Sequence, residues 1–218
     1  MPSKNLHITL IFMTIFFFLI ALFTTQKNGN TQLMNAFATN FVISSVFYFM
    51  VAYLPERQKR NRIRRRMEKQ YKEFKLSCID IFLIMSSSQE YQNREMLLEL
   101  SEFRRYFKNN NTQSETRWDA VANGVQGSEF YLKELVHELN VLSEGLCYVR
   151  SAIDIHDEEV FDFLRRASQI IRRLETTEPN YDDIKSLCRS FWEIFAGWSF
   201  VDGYREADVI NDMLVKIN

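Results

Sequence analysis

The 218-residue chain reads as an all-α protein, an N-terminal two-helix transmembrane hairpin followed by a cytoplasmic helical bundle. Three observations predict this. Two uncharged apolar runs lie close together, ITLIFMTIFFFLIALFTT at 8–25 and AFATNFVISSVFYFMVAYL at 36–54. A strongly basic segment, 56–75, follows directly, with ten Lys/Arg against three Asp/Glu. Beyond it, apolar residues recur at steps of three and four, the helical period, and no stretch alternates as a strand would.

The first run is long enough to span. A helix rises about 1.5 Å per residue, so eighteen residues reach roughly 27 Å, close to the thickness of a bilayer core. Backbone polar groups in lipid must pair within their own segment, which makes each run a helix. The run exceeds the apolar core of a usual signal peptide, and no A-x-A cleavage pattern follows it. A short polar link with Asn28-Gly29-Asn30 then turns the chain back.

The second run carries a polar stripe. Ala36, Asn40, Ser44, Tyr48 and Ala52 recur every four residues. Small and hydrogen-bonding residues at that spacing favour close helix contact in lipid. The stripe serves either packing within one hairpin or association between hairpins of different chains. For the second case Ala36, Asn40 and Ser44 are the expected contact residues, and the protein would be a homo-oligomer. Neither run holds an ionisable residue, which argues against a pump or transporter. Two helices are also too few to enclose a pore.

The basic segment sets the topology. Lys/Arg within about 15–20 residues of a span keep the adjoining loop cytoplasmic. Arg57, Lys59, Arg60, Arg62, Arg64, Arg65 and Arg66 lie in that window, whereas the link between the runs holds only Lys27. Both termini are therefore expected in the cytoplasm of a multi-pass protein. The same cations would meet anionic lipid headgroups. Binding to nucleic-acid phosphates is the competing reading, and the acidic remainder of the chain opposes it.

Three regions result: 1–55, a two-span hairpin; 56–75, a basic juxtamembrane helix; and 76–218, an acidic domain. The last holds fifteen Lys/Arg against twenty-five Asp/Glu. Beyond Pro55 the apolar stripes are Met67–Met85 in steps of four and three, a shorter run from Met96 to Phe107, then Leu135–Ile153, Val160–Leu174 and Ile184–Trp198. Asn109-Asn110-Asn111, Gly127-Ser128, Asp157-Glu158-Glu159 and Pro179 mark the boundaries. Helices of this kind with short connections form a bundle.

Chemistry is sparse. No phosphate loop, no G-x-S-x-G and no H-E-x-x-H is present, so no enzyme, cofactor or metal is expected. His156 before Asp157-Glu158-Glu159 has the composition of a ligand set, but a helix cap explains it better. Cys78, Cys147 and Cys188 form no C-x-x-C pair and read as free thiols. The densest stretch is FWEIFAGWSFVDGYRE at 191–206. Its aromatics serve as core or as a docking surface. Trp192, Trp198, Tyr204 and Arg205 are the partner-binding candidates, since Trp, Tyr and Arg dominate binding hot spots.

The N-terminal hairpin, the span end FYFMVAYLPERQKR and a helical cytoplasmic domain of this size resemble the two-transmembrane effector proteins of bacterial anti-phage retron systems. The resemblance covers the layout of the whole chain and brings no residue signature. It implies a bacterial inner-membrane effector that permeabilises the membrane in abortive infection. It also implies a reverse transcriptase and its RNA–DNA product as restraining partners. The alternative from the residues alone is a non-toxic scaffold or receptor that tethers a cytoplasmic complex.

Overall fold

A computed structural model describes residues 11–20, 32–87, 91, 93–110, 115–174 and 176–217. The chain divides into two compact units, Met1–Asn61 and Arg62–Asn218. The division falls inside the basic segment.

In the first unit, the described part of the first run is an apolar helix, α1, Ile11–Ile20. The rest of that run, Lys27 and the Asn28-Gly29-Asn30 link lie outside the described residues. Helix α2 spans Gln32–Tyr48 and passes through a π-turn, Phe49–Tyr53, into α3, Leu54–Met85. The apolar part of this helix is long enough to cross a membrane. The π-turn has a local cause. Pro55 has no N–H, and its ring would press on the carbonyl of Val51. A wider turn before it, with the Leu54 N–H donating to the Phe49 carbonyl, relieves that clash.

In α2 the buried positions are Ala38 and Ser45, with Phe41 and Val42 half-buried between them. These four fall within about 100° of arc on a helix. The Phe17 ring of α1 lies 4.6 Å from that of Phe41. Ala36, Asn40 and Ser44 are all exposed.

The second unit is an all-α bundle. It comprises the rest of α3, a 3-10 turn at Arg94–Leu98, α4 Leu100–Lys108, α5 Arg117–Gly127, α6 Glu129–Ala152, α7 Glu158–Leu174, α8 Tyr181–Ala196 and α9 Val209–Val215. The starts of α5, α7, α8 and α9 are capped as their sequences require. Thr116 accepts from the Asp119 N–H, Asp157 from Glu159 and Val160, Asn180 from Asp183, and Asp208 from Ile210 and Asn211. Asp157 is thus the N-cap of α7. Among the described residues no three His, Cys, Asp or Glu converge as metal ligands would.

Helix α3 carries the core. Met67, Tyr71, Phe74, Cys78 and Phe82 are buried along one stripe, and Phe82 touches rings from α4, α5 and α8. Residues 62–75 therefore belong to a core helix whose outer face is basic. Within the basic segment Arg57, Lys59, Arg62, Arg65 and Arg66 are exposed. Arg60 is buried and bonded to Glu56 at 3.2 Å, and Arg64 is half-buried beside Glu68 at 3.6 Å.

Three stretches differ from the sequence reading. The Met96–Phe107 stripe is split, because Glu99 adopts extended backbone between the 3-10 turn and α4. Helix α5 has no long apolar stripe, yet it forms behind its Thr116 cap and buries Ala120, Val121 and Val125. Trp198 is not the end of the α8 stripe. Gly197 ends α8 in the left-handed region at φ 62°, and Trp198–Ser199 (β1) pairs with Gly203–Tyr204 (β2) as a small antiparallel hairpin. The three thiols are free. Burial pushes Cys78 up, and burial pushes Cys188 up to about 12.

Candidate functional site

The end of α8 and the hairpin behind it bring Trp192, Trp198, Phe200 and Tyr204 together at the surface. The geometry begins at Gly197. A Cβ there would meet Leu100 Cδ1 at 2.8 Å, and the positive φ strains any other residue. The chain can therefore reverse against α4. The Arg205 N–H donates to the Gly197 carbonyl at 2.8 Å and closes the hairpin base. Trp198 then lies opposite Tyr204.

All four residues anticipated from the sequence meet here. Trp192 on α8 is half-buried, 5.0 Å from Trp118 of α5 and 5.9 Å from Phe103 of α4, and its Nε1 donates to the Tyr204 hydroxyl at 3.3 Å. Tyr204 is exposed, with Lys108 Nζ 4.3 Å and Arg104 Cζ 5.1 Å from its ring centroid. Trp198 packs edge-on to Phe200 at 4.4 Å. Arg205 is half-buried, and its guanidinium pairs with Asp202. Two further residues carry little signal in the sequence. Trp118 stands in the weakly patterned α5, where the T-x-x-D cap at 116–119 was its only signal. Arg189 stacks over Phe200 with Cζ 3.5 Å from the ring centroid, and its Nε lies 3.6 Å from Glu193.

A groove of about 790 Å³ opens between α5, α8 and the hairpin, with Trp118, Asn123, Tyr181, Lys185 and Trp198 among its walls. Cys188 also lines it, but with its thiol pushed up to about 12 it stays protonated and is a poor nucleophile. Burial raises the Glu193 carboxyl, with Arg189 opposing. The surface offers aromatic faces, cations above them and amides at the edge. Such a surface suits non-covalent recognition, where aromatic and Arg anchors supply most of the affinity.

A buried polar latch holds this corner on the bundle. Asp208 accepts from the Tyr71 hydroxyl at 2.9 Å and from Lys75 Nζ at 3.0 Å, besides capping α9. Lys75 also donates to the Leu98 carbonyl at 3.0 Å. Burial raises Tyr71 well above its ordinary value, and the Asp208 charge adds to this.

The other predicted site residues lie in different places. Ala36, Asn40 and Ser44 share the exposed side of α2, and the exposed basic residues run along 57–66. In comparisons with family models, curated proteins and solved structures, the chain matches none.

Proposed function

We propose that this protein is a membrane effector of the kind its layout resembles. A two-helix hairpin sits in the bacterial inner membrane with both termini in the cytoplasm. The cytoplasmic bundle is restrained by partners docked at the aromatic corner. Release lets hairpins of several chains associate and permeabilise the membrane, which ends an abortive infection. In a retron system the restraining partners would be a reverse transcriptase and its RNA–DNA product.

The observation that carries this reading is the division of labour on α2. The face with Ala38, Phe41 and Ser45 is taken within the chain. The face with Ala36, Asn40 and Ser44 is left open. An Asn amide facing hydrocarbon is costly without a partner, and another helix supplies one.

The test uses Asn40→Leu/Ser44→Leu. Leucine is favourable in a span, so the variant should still insert. Interhelical hydrogen bonds in lipid average only about 0.6 kcal/mol, but the loss accumulates over an assembly. Overexpression of the unaltered chain should depolarise cells and yield crosslinked oligomers, and the variant should lose both. A variant that stays fully toxic would sink the self-association step.

The tether reading draws on the aromatic corner, which needs no toxicity. It predicts that overexpression leaves the membrane potential intact. Topology has its own check. Changing Arg57, Arg62, Arg65 and Arg66 together to Glu should disturb insertion, read by cytoplasmic and periplasmic reporters fused after Asn218. An unchanged reporter pattern would remove these residues from any topological role.

A further inference from the structure

We infer that the tip of the C-terminal hairpin, Phe200 and Val201, is a second membrane contact that inserts into the interfacial layer of the bilayer. The inference rests on the membrane anchor proposed above. Single exposed apolar residues are ordinary, but these two are neighbours at the end of a projection. Phe200 is 68% exposed and Val201 90% exposed.

The tip is built rather than slack. Ser199 pairs with Gly203 across three residues, and Gly203 takes a left-handed φ of 71°, which favours glycine. The Ser199 hydroxyl accepts from the Val201 N–H at 3.2 Å and from the Asp202 N–H at 3.5 Å. Below them the Gly197–Arg205 bond fixes the base. A tip held this way loses little conformational freedom on insertion.

Its surroundings have the order of an interfacial anchor. The one charge in the loop, Asp202, is paired with Arg205. Behind the apolar pair stand Trp198 and Tyr204, the aromatic types that settle at headgroup depth. The Arg189 guanidinium lies on the Phe200 ring, where its apolar stem and charged head can straddle the boundary. On α7, exposed Ile170 lines the same apolar cavity as Val201, a cavity of about 420 Å³. Arg173, three residues on along the same helix, forms no ion pair among the described residues.

Lipid is the occupant that fits. The anchor keeps a bilayer tethered to this unit, so docking there is intramolecular in effect and favoured by a high local concentration. Two exposed side chains at a hairpin tip are a small area for a protein interface, which needs roughly 1,000 Å². The acidic excess of the unit also disfavours adsorption by charge alone. Contact should therefore come from apolar insertion and persist in high salt.

The experiment uses the full chain in vesicles of phosphatidylcholine and phosphatidylglycerol. An environment-sensitive fluorophore is placed at Val201→Cys and, separately, at Phe47→Cys on α2. The unaltered chain gives the background from Cys147. Doxyl-labelled phospholipid should quench both probes, and aqueous iodide should reach neither well. The Val201 signal should persist in high salt. Adding Phe200→Asp should cut lipid quenching at position 201 and leave position 47 unchanged. If lipid quenches position 47 while iodide quenches position 201, the tip contact is wrong and the anchor stands. A probe at 201 shielded from both quenchers means a protein covers the tip, which also overturns the tip contact. Absence of lipid quenching at position 47 removes the anchor and the tip contact together.

Discussion

Phe82→Ala is expected to destabilise the helical bundle by about 3–5 kcal/mol, the range for an aromatic lost from a packed core. The residue is fully buried, and five rings surround it. The centroids of Trp118, Phe191 and Phe195 lie 5.3, 5.4 and 5.3 Å away, those of Phe103 and Phe107 at 6.3 and 6.2 Å. These rings come from α4, α5 and α8, so one truncation loosens three helices against α3. Phe103 also packs against Trp118 and Trp192, so the aromatic groove should loosen as well. Denaturant unfolding of the detergent-solubilised protein, followed by tryptophan fluorescence, measures the loss. Phe82→Leu should recover part of it by refilling volume. A loss below about 1 kcal/mol, typical of surface changes, would show that α3 is not the centre of this core.

Asp208→Ala is expected to cost about 3–5 kcal/mol, because it leaves Lys75 buried with its charge uncompensated. The side chain of Lys75 is only 4% exposed, and Asp208 is its ion-pair partner. The same change removes the α9 cap and the acceptor for Tyr71. Lys75→Met/Asp208→Asn should be milder than Asp208→Ala alone. Methionine keeps the volume without a charge, and asparagine still caps a helix. If the double variant is as unstable as the single one, the stranded lysine is not the source of the damage. Hydrogen exchange should locate the loosening in the hairpin and α9, the segment that the latch holds down.

Much of the bundle is legible in the sequence. The stripes of α6, α7 and α8 are written in their leucines, isoleucines and phenylalanines, and Asp157 and Pro179 mark the starts of α7 and α8. Helix α5 was not legible. Asn123-Gly124 interrupts it, and three small apolar residues are too few to outline a stripe. Its helicity depends on a cap and on packing against α6 and α8. The hairpin at 198–204 was missed for another reason. Trp198 continues the α8 spacing, and only the left-handed turn at Gly197 removes it from the helix. Trp192, Trp198, Tyr204 and Arg205 were legible as a group by composition, whereas Trp118 and Arg189 come from separate helices and meet them only in space.

The helical class, the apolar runs, the abrupt charge change at residue 56 and several helix boundaries are written in the sequence. These are properties of short stretches, where periodicity, capping and charge act within a few residues. The tertiary structure alone decided which faces meet. Helix α2 is apolar nearly all round, so it has no amphipathic signal to say which side is inward. The side with Ala38 and Ser45 is buried, and Ala36, Asn40 and Ser44 are left open. Likewise the Lys75–Asp208 pair joins residues 133 positions apart. No local rule connects them, because a buried charge finds its partner through the packing of the whole core.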